Sequence, residues 1–276
     1  MVQIQPLPVL GSTCTDIDLR EPLTSNDLAA LLEAYDRTHL LVFRNQELSG
    51  QQQFDFVRQF GPVVGETTPW GYVSNVRPDG IVREGPLLFH SDFAFTATPT
   101  LGISLHALEV PDDGSPTLFA DSTRAVRVMP PELRSRLEGV RIRNCYDFSG
   151  NDATRMRLRN ATPGSPSWEH PIIGSHPRTG EPIVWANELH TDGVVGVSDD
   201  DSDALLAEVF AVLYADDNVY EHRWSVGDLV LWDNVALHHG RRDIPRHEPR
   251  TLQRVTLAEL TPIQMVPNLA ELLAAR

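Results

Sequence analysis

The sequence predicts a β-rich α+β fold with flanking helices, in one domain spanning residues 1–276, and three observations carry that expectation. Short apolar runs such as Leu40-Leu41-Val42-Phe43 and Leu229-Val230-Leu231-Trp232 are bounded by polar residues or glycine, as buried strands are. Helical periodicity is confined to a few segments scattered along the chain. No internal repeat or low-complexity linker divides the 276 residues, a length that one large domain accommodates.

The elements follow in order. Thr24-Ser25-Asn26-Asp27 starts a helix, because short polar side chains accept from the free N–H groups of a first turn. Leu28, Leu31, Leu32 and Tyr35 continue it at helical spacing, and His39 to Phe43 makes a buried strand. A second helix is expected from Ser49 through Phe60, stopped by Gly61-Pro62. Ile103 to Leu108 alternates as a strand with one buried face does, and Pro130-Pro131-Glu132 opens a short helix carrying Leu133 and Leu137.

Residues 147–167 are polar and without period. They are expected to form a long surface loop, and 147–195 a lid or insert over the site. Within it, Ile172-Ile173 and Ile183-Val184-Trp185 flank the turn His176-Pro177-Arg178-Thr179-Gly180 as a hairpin. Asp199 to Tyr214 is an amphipathic helix with Leu205, Leu206, Val209, Val212 and Leu213 on one face. Its acidic run belongs to the helix start rather than to metal binding. Trp224 to Trp232 and Thr251 to Leu257 supply two more strands.

Composition excludes several classes of function. The chain is 41% hydrophobic and 22% charged, with a net charge of −15, so it is ordinary globular protein without the basic surface of a nucleic-acid binder. The N-terminus MVQIQPLPVL does not read as a signal peptide, and no apolar stretch approaches a membrane span. Cys14 and Cys145 offer neither metal spacing nor a disulfide framework, so a cytoplasmic location is expected by default.

Three elements carry chemistry. His90-Ser91-Asp92 sets an imidazole and a carboxylate two residues apart, on one face if the segment is a strand. Alone, such a pair recurs by chance. The second element, Trp232-Asp233-Asn234-Val235-Ala236-Leu237-His238-His239-Gly240-Arg241, supplies a remote histidine. Together they make a two-histidine, one-carboxylate set suited to Fe(II), with one face open for co-substrate and O₂. The third, Arg250-Thr251-Leu252-Gln253-Arg254, puts two guanidinium groups on one strand face. A buried guanidinium needs an anion and fits a carboxylate with two parallel hydrogen bonds, whereas an edge strand would simply expose both charges.

These elements resemble the taurine dioxygenase/2,4-dichlorophenoxyacetate dioxygenase family of Fe(II)/2-oxoglutarate-dependent enzymes. The likeness covers nearly the whole chain, from Ile17-Asp18-Leu19 and Leu40-Val42-Phe43-Arg44 through Gln59-Phe60-Gly61-Pro62 and Ser74-Asn75-Val76-Arg77-Pro78-Asp79-Gly80. It continues through Phe89-His90-Ser91-Asp92, Thr117-Leu118-Phe119-Ala120-Asp121 and His176-Pro177-Arg178-Thr179-Gly180 to Arg254-Val255-Thr256. The resemblance implies a jelly-roll (double-stranded β-helix) core with His90, Asp92 and His239 as iron ligands. Adjacent His238 is the alternative for the third. It implies that Arg250 binds the far carboxylate of 2-oxoglutarate with help from Thr117, and that Arg254 meets an anionic group of the prime substrate or supports the co-substrate. Further substrate contacts are expected from Trp70, Tyr72, Asn75 and Phe93, for which core or rim packing is the competing reading.

The sequence departs from the pattern in two places. The Gly-Gly-Asp-Thr turn of the family reads Gly114-Ser115-Pro116-Thr117, and Gly85-Pro86-Leu87-Leu88-Phe89 lacks the polar residues that hold taurine. The expected activity is oxidation, with hydroxylation preferred, of an aliphatic C–H in a small anionic molecule, coupled to conversion of 2-oxoglutarate and O₂ into succinate and CO₂. Because Asp92 fills the carboxylate position that halogenases vacate, hydroxylation is expected over halogenation, while desaturation stays open. So do a cupin-type metalloenzyme that does not use 2-oxoglutarate and a non-enzymatic ligand-binding jelly roll. The expected partner is a small molecule, not nucleic acid or membrane, and homo-oligomerisation stays open.

Overall fold

The structure is a computed structural model that describes residues 1–64, 70–81, 85–113, 115–243 and 248–274. Gly114, part of the altered turn, lies outside the described residues. Two sheets organise the chain. The larger has eight strands in the order Gln3–Pro6, Ser12–Thr15, Leu40–Phe43, Leu229–Asp233, Gly102–Glu109, Thr251–Leu257, Gly71–Ser74 and Gly80–Ile81. The smaller runs Val219–His222, Thr117–Asp121, Leu237–Arg241, Leu87–His90, antiparallel throughout.

The facing surfaces of the sheets share one apolar cluster, to which Leu105, Val230, Trp232 and Leu252 come from the large sheet and Phe119 and Leu237 from the small one. Phe119 and Trp232 meet edge to face at 5.2 Å, a favourable arrangement of two ring quadrupoles. The opposite face of the large sheet is covered by the helices Ser25–Thr38 and Gly50–Val57, whose Leu31, Tyr35, Phe56 and Val57 pack on Leu41, Phe43, Leu229 and Val255. The central strands are therefore buried on both faces, which explains why Leu229–Trp232 is a continuous apolar run.

That covering corrects the expectation of one buried face for Ile103 to Leu108, since residues 102–107 are all buried. The alternate polar residues meet protein instead of water. Ser104 accepts from Gln53 Nε2 at 3.1 Å, and His106 Nε2 donates to the Gln46 carbonyl at 2.8 Å. The helix expected through Phe60 ends at Val57, with Arg58 as its cap. Trp224 to Gly227 is a turn rather than strand, where Gly227 adopts φ +85° and holds the Gln46 and Ala107 backbones.

The Thr24 cap, the 173–175/182–184 hairpin and the helix Asp199–Leu213 fall where the sequence places them. Residues 147–166 contain a single 3₁₀ turn, Leu158–Asn160, and are organised by the Asp147 carboxylate, which accepts from Ser149 and Thr162. No helix among the described residues is long and apolar enough to cross a membrane.

Candidate active site

The strands Leu87–His90 and Leu237–Arg241 are adjacent and antiparallel, with His90 directly opposite His239. Their ring centroids are 4.2 Å apart. Asp92 lies two residues beyond the strand end, in a turn rather than on the strand, so strand alternation does not orient it. Asn234 holds that turn. Its Oδ1 accepts from the Asp92 N–H at 2.9 Å, its Nδ2 donates to the carbonyls of Asp92 and Thr100, and its own carbonyl accepts from Ser91 Oγ at 2.6 Å. One buried amide thus fastens the His90–Asp92 segment to the loop that leads into His239.

The donor atoms are arranged for a cation. His90 Nδ1 lies 2.8 Å from the Leu88 carbonyl, which can only accept, so Nδ1 carries a hydrogen and Nε2 is the nitrogen available as a ligand. That Nε2 is 3.1 Å from Asp92 Oδ1, and His239 Nε2 is 3.6 Å from the same oxygen. Two acceptors so close require a second ring proton or a metal ion between them. Donors sharing an edge of an octahedron about 2.1 Å from a metal stand about 3 Å apart, which these separations approach. Among the described residues this is the group of three histidine and carboxylate side chains that could hold a metal ion.

Local electrostatics keep Asp92 and His239 in ligand form. Burial pushes the Asp92 carboxyl up, but Arg254, His90 and His239 outweigh it and hold it well below the usual carboxylate range. Burial, reinforced by His90, holds the His239 imidazole well below its ordinary value and therefore neutral. His238 points to the other face of the strand. Its Nε2 donates to the Val184 carbonyl at 3.2 Å, its Nδ1 accepts from the Tyr214 hydroxyl at 3.0 Å, and burial pushes its pKa down to about 3. With both nitrogens engaged, it does not join His90 and Asp92.

A cavity of about 70 Å³ adjoins the three residues and contains Thr117, Arg241, Arg250 and Arg254. Arg250 is 2% exposed, and among the described residues no hydrogen-bond partner reaches its Nε. Burial, with Arg241 close by, pushes its pKa down to about 9, which marks a cation short of an anion. Thr117 Oγ1 accepts from Trp224 Nε1 at 3.0 Å and keeps its own hydrogen for another acceptor. Arg254 is not the uncompensated charge that the sequence suggests. Its Nη2 donates to Asp92 Oδ2 at 2.5 Å and its Nε to Thr256 Oγ1 at 3.1 Å, and the residue lines both cavities.

A second cavity, of about 690 Å³, opens on His90, Asp92 and Arg254. Phe93, Phe95, Tyr146, Phe148, Leu189 and His190 form most of its apolar wall. Phe93 reaches it from a left-handed backbone, φ +58°. Tyr72 and Asn75 line neither cavity: Tyr72 stacks under the Arg77 guanidinium at 3.7 Å, and Asn75 bonds the Arg250 N–H and the Glu248 carbonyl. Trp70 packs against the outer core cluster and over Gly50, where an added Cβ would come within 2.5 Å of its ring. Sequence reasoning gave Asn234 no role and did not single out Phe95, Tyr146, Phe148 or His190 as wall residues. For Asn234 the signal was its place beside Asp233 before the distal histidine. For the aromatic wall no local pattern exists, because its members come from three distant segments.

Known proteins resemble this chain in sequence and in fold. The family described as taurine catabolism dioxygenase TauD, TfdA family matches residues 3–256. The alpha-ketoglutarate-dependent 2,4-dichlorophenoxyacetate dioxygenase of Cupriavidus pinatubonensis is 34% identical over 90% of this chain and 94% of its own. The (S)-phenoxypropionate/alpha-ketoglutarate-dioxygenase of Sphingobium herbicidovorans is 29% identical over 86% and 88%. The crystal structure of AAD-2 in complex with Mn(II) and N-oxalylglycine superposes with a TM-score of 0.80, at 26% identity, covering 95% of this chain and 99% of that one. The chain belongs to the TauD/TfdA family, and with it to the Fe(II)- and 2-oxoglutarate-dependent dioxygenases.

Proposed function

We propose that His90, Asp92 and His239 hold the ferrous ion, that Arg250 and Thr117 bind the distal carboxylate of 2-oxoglutarate, and that the enzyme hydroxylates an aliphatic C–H of a small anionic substrate. The observation that carries this reading is Arg250: a desolvated guanidinium with no acid paired to it among the described residues, in a cavity that ends at the three metal-type donors. A dicarboxylate with one end at the metal and the other at Arg250 supplies the missing anion, and the Thr117 hydroxyl donates to the same carboxylate. When bound, iron supplies the oxidising chemistry that couples 2-oxoglutarate decarboxylation to substrate oxidation.

The chain's own groups do the rest. The Leu88 carbonyl fixes the His90 tautomer, and Asn234 holds the Asp92 turn. Arg254 holds one carboxylate oxygen of Asp92, so that the other faces the two imidazoles. Its Nη1 remains for an acidic group on the substrate, whose apolar body fits the aromatic cavity beside the metal site. Two relatives act on aryloxy acids by name, 2,4-dichlorophenoxyacetate and phenoxypropionate, and an acid joined to an apolar ring suits this division of polar and aromatic wall. Of the substrate contacts expected from the sequence, Phe93 and Arg254 are retained. Trp70, Tyr72 and Asn75 are assigned to supporting the adjoining strand instead.

In this reading the two sheets form a jelly roll, the whole of 1–276 is one catalytic domain, and 147–195 covers the substrate side. A cytoplasmic location accords with two buried, unpaired thiols. The test is anaerobic addition of Fe(II) and 2-oxoglutarate, watched for the visible charge-transfer band of the chelate. Wild type must show the band and Asp92→Ala must lose it. A band that survives in Asp92→Ala, or none in wild type, sinks the assignment.

A further inference from the structure

The family match stops at residue 256, yet the chain continues into two short helices, Pro262–Met265 and Leu269–Ala274. These do not hang free. Val266 and Leu272 are buried in one cluster with Phe95 and Phe148, against which Phe93, Tyr146, Met265 and Leu269 also pack. Every aromatic member of that cluster lines the larger cavity. Leu273, the next residue along, lines the cavity itself and is 45% exposed. The segment is tied at two points: a Thr261/Gln264 capping box starts the first helix, and before the second helix Asn268 Nδ2 donates to the Gly164 carbonyl at 3.0 Å.

We propose that the C-terminal helix Leu269–Ala274 is a specificity wall of the substrate cavity, Leu273 closing its mouth while Leu272 braces the aromatic residues that face the substrate. The assignment rests on the larger cavity being the prime-substrate site, as proposed above. A wall outside the family's matched region can differ between relatives while the metal and co-substrate residues stay as they are. Its tie to Gly164 couples it to the 147–166 segment, so both sides of the mouth belong to one packed unit. The selectivity it imposes is steric and apolar: aryl groups that fit beneath Leu273 are admitted, and bulkier ones are turned away.

The experiment uses the full chain and 1-anilinonaphthalene-8-sulfonate, an aryl sulfonate whose emission rises in apolar surroundings. Leu273→Trp fills the mouth and is expected to weaken probe binding about tenfold or more, the scale on which apolar pockets discriminate by size. Leu273→Ala removes the obstruction and is expected to bind the probe as well as wild type or better. The Fe(II)/2-oxoglutarate band should be unchanged in both, because Leu273 does not line the co-substrate cavity. Equal probe affinity in wild type and Leu273→Trp overturns the proposal, as does failure of wild type to bind the probe. Equal losses in both variants also overturn it, since they would mean the helix had been disrupted and not the mouth filled. Loss of the band in wild type would instead sink the dioxygenase reading, whatever the probe does.

Discussion

Replacing Arg250 with methionine should abolish 2-oxoglutarate binding and at the same time stabilise the ligand-free protein. A guanidinium whose pKa falls from 12.5 to about 9 carries a desolvation penalty of roughly 5 kcal/mol, at 1.36 kcal/mol for each tenfold change in proton affinity. A depressed basic pKa penalises the folded state at every pH below about 9, so the whole penalty stands at neutral pH. Relaxation and water entry reduce it, and measured replacements of buried charge by apolar groups gain about 1–4 kcal/mol. Methionine replaces the aliphatic stem of the side chain with an apolar one while removing the charge and its repulsion from Arg241. A gain of about 2 kcal/mol corresponds to a Tm increase of about 4–8 °C in a chain of this size. The assay is thermal unfolding, without and with Fe(II) and 2-oxoglutarate under anaerobic conditions. Wild type should gain stability from the co-substrate, and Arg250→Met should start higher and gain nothing. A lower starting Tm in the variant, or undiminished protection by 2-oxoglutarate, would refute the view that Arg250 is an anion receptor held at a cost in stability.

Three further outcomes follow from the geometry. His239→Gln should lose the Fe(II)/2-oxoglutarate band whereas His238→Gln keeps it, losing only about 1 kcal/mol with its bonds to Tyr214 and Val184; equal loss of the band in both would contradict the opposed orientation of the two rings. Asn234→Ala should cost about 2–3 kcal/mol through the buried partners it abandons and weaken metal binding about 10–100-fold, read as the Fe(II) concentration needed for half the band, with unchanged iron affinity as the refuting result. Asp233, 2% exposed, has a carboxyl that burial pushes up but that His176 and Arg178 together pull down to about 2. Its roughly 2 kcal/mol of stability is present above about pH 4 and lost as pH falls toward 2, so the stability difference between wild type and Asp233→Asn should shrink over that interval, and a difference independent of pH would contradict it.

How much of this was legible in the sequence depended on the range of the interaction concerned. Local signals placed the Thr24 cap, the 173–184 hairpin and the helix after Ser198, because each is decided within a few residues by caps, turns and periodicity. The same reasoning does not hold for Ile103 to Leu108, where serine and histidine alternate with aliphatic residues yet meet Gln53 and the Gln46 carbonyl and not water. Residue type says only that a side chain needs polar partners, and Gln53, fifty-one residues away, supplies one of them. His238 and His239 show the same limit at the site. Either could ligate by chemistry, and strand alternation requires that only one face His90, but which one depends on register with Leu87–His90, a pairing between segments far apart in sequence. Arg254 completes the argument. Its position two turns of the pleat beyond Arg250 indicated a shared face correctly, and both line the same cavity. The resemblance leaves Arg254 to meet an anionic substrate group or to support the co-substrate, and the structure adds that Asp92 already occupies one side of the guanidinium. The sequence names the groups able to do the chemistry. Which of them are already satisfied, and which like Arg250 still await a partner, is decided by burial and three-dimensional neighbourhood, and that difference separates the residue proposed to bind the co-substrate from the one proposed to hold a metal ligand in place.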